Sequence, residues 1–236
     1  MRVELQIKES SASRSHNSSE SPCGSVTMWV ISFRVALTAE NKLMIFWGYD
    51  PGGRGNNGVA AVRMNSEGEI VEKPKCGVVQ TAAAALVWLN ENGPACALGV
   101  DTLLAWSRTG SRSCDQRLRK RYRGVGGQSV VEQNSLYSSM TINGAIVASE
   151  ARKHQEKLTL CECHPKLLIN AGLLPSQLQE LHAAVNDHAG DALIAAWCAS
   201  RRHYRVWDTD LFEGDGQLLW PAGNASYPWP EDLGLT

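Results

Sequence analysis

The sequence has no apolar run long enough to cross a bilayer, no excess of charge of either sign and no ladder of cysteines. The longest apolar candidate, Val26 to Leu37, falls short of the roughly 18 residues of a membrane span and contains Arg34. Lys and Arg number 23 against 24 Asp and Glu, a formal net charge of −1. No global field therefore draws the chain to nucleic acid or membrane, and any such affinity must be local. The 7 cysteines are irregularly spaced. With no signal peptide recognised, that fits a reducing, cytoplasmic setting better than a disulfide framework. There is no Gly-x-x-x-x-Gly-Lys-Ser/Thr loop, which leaves P-loop chemistry unsupported. Cys161, Cys163 and His164 are spaced too tightly for the common Cys-x-x-Cys zinc pattern, and no second Cys pair exists. No internal repeat occurs.

What is present reads as one soluble domain with appendages: 236 residues, 43% hydrophobic and 20% charged. Residues 9–25 are rich in Ser with almost nothing apolar, and so are expected to be disordered. Met28 and Met44 both precede apolar segments, so residues 1–42 are either a disordered extension or lie upstream of the native start. The domain is expected over 43–204. An acidic tail, 205–236, carries Trp207, Trp220 and Trp229 and is expected to pack back on the domain.

Leu43 to Tyr49 reads as a buried strand, Val59 to Met64 as a second, and Ser66-Glu67-Gly68-Glu69 as a hairpin turn into a third from Ile70. Thr81 to Asn92 has helical spacing and stops at Gly93-Pro94. A strand over Ala95–Val100 follows, then an irregular basic region, a helix from about Ser135 to Lys153, and an alternating strand from Lys157 to His164. Asn186 caps a last helix running to about Tyr204. Hairpin connections followed by helical crossovers predict an α/β fold. Its mixed five-stranded sheet has three antiparallel strands and later strands parallel to the first, flanked by helices.

Two of these strands end on a carboxylate, Asp50 and Asp101. Buried strands are apolar because a lone charge costs several kcal/mol to desolvate, and open α/β sheets bind ligands at the carboxyl ends of their strands. On the last helix, at about 100° per residue, Asp191 falls roughly 60° from His188 and 40° from Asp187. Together Asp50, Asp101 and Asp191 form a carboxylate set suited to Mg²⁺ or Mn²⁺, and His188 binds metal or relays a proton. Asp187, at the helix start, reads as a structural acid. Glu162 shares a strand face with Leu158, Leu160 and His164. It reads as a further metal ligand or as the residue that fixes His164, while Cys161 and Cys163 point the other way into the core. From Arg108 to Arg123 the chain carries Arg112, Arg117, Arg119 and Arg121 among its basic residues against the single acid Asp115, followed by Gly124-Val125-Gly126-Gly127. That run is either a solvated face or a clamp for substrate phosphates.

Gly48-Tyr49-Asp50, Gly99-Val100-Asp101, Arg112-x-Cys114-Asp115-x-x-Leu118-Arg119, Glu162-x-His164-Pro165 and His188-x-x-Asp191-Ala192 occur in that order. Together they resemble an uncharacterised predicted-nuclease family with the ribonuclease H fold (domain of unknown function four-twenty-nine), over roughly Leu43 to Tyr204. The His-x-x-Asp pair is also similar to the last motif of Holliday-junction resolvases and related RuvC-like nucleases. The resemblance implies metal-dependent cleavage of phosphodiesters and identifies no particular substrate; in-line hydrolysis of that bond suits two Mg²⁺ or Mn²⁺ ions, on DNA or RNA. Two other readings use the same residues. A non-catalytic binding or scaffold module would keep the fold without the reaction. A nucleotide-binding phosphotransferase would use Asp50-Pro51-Gly52-Gly53 as a phosphate loop, and its second loop, at Asp215-Gly216, follows no convincing strand.

Overall fold

The computed structural model describes residues 43–108, 112–130 and 138–206 and the backbone of 218–219. The elements are, in chain order, β1 (Met44–Asp50), β2 (Asn57–Met64), β3 (Lys75–Val79), α1 (Ala82–Glu91), β4 (Ala97–Val100) and β5 (Trp106–Ser107). They continue with α2 (Ser113–Arg121), α3 (Ser138–His154), β6 (Thr159–Glu162), α4 (Pro165–Asn170), α5 (Ser176–Ala183), α6 (Asp187–His203) and β7 (Leu218–Leu219). The main sheet has the order β3-β2-β1-β4-β6. β1 to β3 are antiparallel, and β4 and β6 run parallel to β1, as the order of hairpins and crossovers predicts.

Period-two alternation sorts the strands into two faces. Trp47, Tyr49, Val59, Ala61, Leu98, Val100, Leu158 and Leu160 pack with α1, α2 and α3 side chains such as Leu89, Leu118 and Val147. Phe46, Ala60, Val62, Ala97, Cys161 and Cys163 pack under α6, with Leu178 of α5. The helix over Thr81–Asn92 is borne out. Thr81 accepts a hydrogen bond from Ala84 N at 3.1 Å, and Gly93, at φ 87°, takes the left-handed turn that ends it.

α6 lies directly on the sheet because three adjacent strands present glycine beneath it. A Cβ at Gly48, Gly99 or Gly58 would fall within 2 Å of the carbonyl oxygens of Ala192, Ala195 and His188 respectively. The alanines of α6 supply only half of that clearance; the strand glycines supply the rest.

Three expectations change. The third strand begins at Lys75 rather than Ile70, which makes only a single bridge to Met64. Pro74 has no N–H to donate and delays the ladder. The basic region is helical, because Cys114, Leu118 and Tyr122 are buried at four-residue spacing and form a stripe that the intervening arginines conceal. Two short helices, α4 and α5, separate β6 from α6. The helix after the basic region is described over Ser138–His154; Ser135, where it is expected to begin, lies outside the described residues. Residues 1–42 and most of the tail also lie outside it, with Trp207, Trp220, Trp229 and Asp215-Gly216. The tail does return to the domain at one point, where β7 pairs antiparallel with β5. Among the described residues no helix is long and apolar enough to cross a membrane.

Candidate metal centre

Asp50 continues the face of Phe46 and Gly48, and Asp101 that of Ala97 and Gly99, so both carboxylates emerge under α6. Asp191 meets them from the second turn of that helix. The three offer oxygen atoms that all lie within 4.8 Å of one another. They border a cavity of about 190 Å³, whose other walls include Thr102, Ser129, His164, Lys166 and His188.

His188 Nδ1 lies 2.6 Å from Asp50 Oδ2. An ionised carboxylate can only accept, so the ring donates from Nδ1 and a neutral imidazole keeps its lone pair on Nε2. On the other side, His182 Nε2 lies 3.1 Å from Asp191 Oδ1. Asn186 caps α6 by accepting from His188 N at 3.0 Å, which sets where that turn begins. Asp187 is exposed at the first position of α6 and does not line the cavity, in keeping with a structural acid.

Burial raises Asp50 to about 6, against which the His188 hydrogen bond pulls downward. Burial, then the neighbouring Asp50 and Asp191, push Asp101 well above the usual carboxylate range. Burial also raises Asp191, opposed by its bond to His182. Packed like charges disfavour ionisation. Among the described residues neither oxygen of Asp101 accepts a hydrogen bond, and the buried Thr102 hydroxyl beside it has no partner. Three converging carboxylates, one of them without a hydrogen-bond partner among the described residues, offer the hard oxygen donors that fit divalent cations of the Mg²⁺ or Mn²⁺ type.

Two expected site residues belong elsewhere. Glu162 faces away from the centre, because parallel register sets it beside Val100 rather than Asp101. Its Oε1 and Oε2 accept from Arg112 Nη2 at 2.6 Å and Nη1 at 2.8 Å, and Oε2 also accepts from Leu104 N at 2.7 Å. The expectation that it ligates metal is therefore corrected, since a guanidinium sits where a cation would. His164 Nε2 stands 3.4 Å from Glu162 Oε1.

Arg112 is not a surface residue that meets phosphates. It is fully buried, and its Nε and Nη2 also bind Asp115 at 2.8 and 2.6 Å, with Nη1 on Ala105 O at 3.2 Å. All five of its donors are thus used inside the protein. Asp115, Glu162 and His164 also come close enough together to hold a cation, but Arg112 already occupies that space.

Of the remaining arginines, Arg117 and Arg121 are exposed on α2. Arg119 is half-buried and donates from Nε to Val130 O at 2.8 Å. That bond tethers α2 to the turn Gly127–Ser129, through which Ser129 reaches the cavity. His182 and Lys166 carry no spacing signal, since each reaches the site through α4 or α5, elements invisible as such in the pattern.

Comparison of the chain with protein-family models, with curated proteins and with solved structures finds no match.

Proposed function

We propose that the protein is a metal-dependent nuclease of ribonuclease H-like fold, hydrolysing phosphodiester bonds of DNA or RNA. The observation that carries this reading is the convergence of Asp50, Asp101 and Asp191 at the carboxyl ends of two parallel strands, oxygens within 4.8 Å, around an open cavity. The strand order, with β1 at the centre, β2 antiparallel to it on one side and β4 parallel on the other, is also the ribonuclease H-like order. Asp50, on the central strand, would hold divalent cations together with Asp101 and Asp191. Such ions, when bound, would supply an activated water and charge stabilisation at the leaving oxygen. His188 contributes a lone pair at Nε2 while Asp50 fixes its tautomer through Nδ1, so it takes or returns a proton. Lys166 brings a positive charge to the cavity wall that suits a substrate phosphate.

Single-stranded, duplex, hybrid and branched nucleic acids incubated with the protein test the reading. Cleavage should appear with Mg²⁺ or Mn²⁺ and vanish with chelator. Metal that raises the melting temperature without any cleavage would favour a binding module instead.

Exposed Arg117 and Arg121, one turn apart, are proposed to hold the nucleic-acid backbone. Changing both to Gln should make the slope of log affinity against log salt shallower by about 1 to 2, measured by fluorescence anisotropy in Ca²⁺. An unchanged slope returns the helix to an ordinary solvated face.

pH gives a separate check. Asp50 titrates near 6 in the fold against an ordinary 3.8. Its contribution to stability is therefore full below about 3.8 and is lost as pH rises through about 6. The metal-free melting temperature should fall across that window. Mn²⁺ should restore stability at about pH 7.5 and do little at about pH 4.5, because protons then compete for the same oxygens. A metal-independent pH profile would contradict the assignment.

A further inference from the structure

Asp191 is held from a second element that the reaction scheme does not use. His182 stands near the end of α5, whose Leu178 is buried in the core beneath α6. Its imidazole lies flat enough against α6 that a Cβ at position 190 would come within 2.5 Å of Cδ2 and 2.9 Å of Nε2. Gly190 is the fourth residue of α6, in a place where glycine is a poor helix former. Its φ is not positive, so backbone freedom does not explain it. Space for His182 does.

We propose that His182 is a positioning residue that aims the Asp191 carboxylate at a divalent cation, and that Gly190 is the gap that admits it; this rests on the metal-centre reading above. Donation from Nε2 to Oδ1 at 3.1 Å fixes the carboxylate about its last torsion and leaves Oδ2 with its lone pairs for the ion. Outer partners of this kind commonly change metal affinity when removed, without touching the metal. The ring is 22% exposed and borders a separate cavity lined by Ile169, Leu174 and Gln179, so shortening it removes a hydrogen bond at the edge of the core rather than inside it.

The test is Mn²⁺ binding by the full chain, followed through the electron paramagnetic resonance signal of the free ion. His182→Ala should weaken binding about tenfold or more. His182→Gln, which presents an amide N–H near the place of Nε2, should recover most of it. Gly190→Ala should weaken binding in the wild-type background by displacing the ring. In the His182→Ala background it should weaken binding no further, and should raise the melting temperature because alanine is the better helix former.

Independent, additive losses from the two substitutions would overturn the proposal. Asp191→Ala distinguishes a failure at His182 from a failure of the metal centre itself. If it abolishes Mn²⁺ binding while His182→Ala leaves it unchanged, the role of His182 is wrong and the metal centre stands. If Asp191→Ala itself changes nothing, the metal centre fails and the role of His182 fails with it.

Discussion

Replacing Asp50, Asp101 or Asp191 with asparagine should reduce metal-dependent cleavage by about 10³-fold or more, and should stabilise the protein when metal is absent. The two effects have one cause. Each carboxylate is ionised at a cost, since burial raises all three above the ordinary range, joined at Asp50 by Asp191 and at Asp101 by both of its like-charged neighbours. Asparagine keeps the shape and removes the charge, which relieves that repulsion in the metal-free state. With cations bound the balance reverses, because an essential ligand is lost. Several kcal/mol of transition-state stabilisation at about 1.4 kcal/mol per tenfold corresponds to the stated loss. Asp101→Asn should give the largest rise in metal-free melting temperature, since among the described residues its carboxylate accepts no hydrogen bond. Calorimetry with and without Mn²⁺, alongside cleavage assays, measures both effects. Variants that retain cleavage, or that are destabilised without metal, would remove the carboxylates from the reaction.

Arg112→Ala should be strongly destabilising, at about 3–5 kcal/mol, because it strands two buried carboxylates. At roughly 2–4 °C per kcal/mol for a chain of this size, the melting temperature should fall by about 10 °C or the protein should fail to fold. Arg112→Lys should recover little, since one ammonium cannot make the paired contacts to Asp115 and Glu162. Adding Asp115→Asn and Glu162→Gln to Arg112→Met should recover part of the loss, because no unpaired charge then remains inside.

The acid side of the stability curve reports the same cluster. Burial raises the Glu162 carboxyl, but the charge and hydrogen bonds of Arg112 outweigh it and bring it down to about 2, against an ordinary 4.5. The stability it contributes is present above about 4.5 and lost as pH falls toward about 2. In Arg112→Met that loss should move to higher pH. If Arg112→Ala leaves stability within about 1 kcal/mol of wild type, the buried cluster is not what holds β6 to the segment before α2.

Much of the centre was legible in the pattern of residues alone. A strand that alternates inward and then ends on a carboxylate is conspicuous, because nothing in local structure rewards a charge there. That is why Asp50 and Asp101 stand out, and helical spacing does the same for His188 and Asp191. Local rules also give the strand order, since hairpins and crossovers leave few topologies. Local rules do not say which way one strand faces relative to its neighbour.

Glu162 ends its strand just as Asp101 follows its own, yet the register of the parallel pair turns it to the opposite side of the sheet. Arg112 sits in a run of arginines that composition paints as surface. Only the packing of Cys114, Leu118 and Tyr122 rolls that helix so that one guanidinium points inward. His182 comes to Asp191 through a helix too short to leave a periodic signal, and Gly190 has meaning only once the ring beside it is known.

The sequence by itself determined the main strands, the three long helices, their order and the acids at the strand ends, because these follow from period and from the cost of burying charge. The tertiary structure alone decided which charges share a space. That depends on register and on distances between elements far apart in the chain, and no local periodicity carries it.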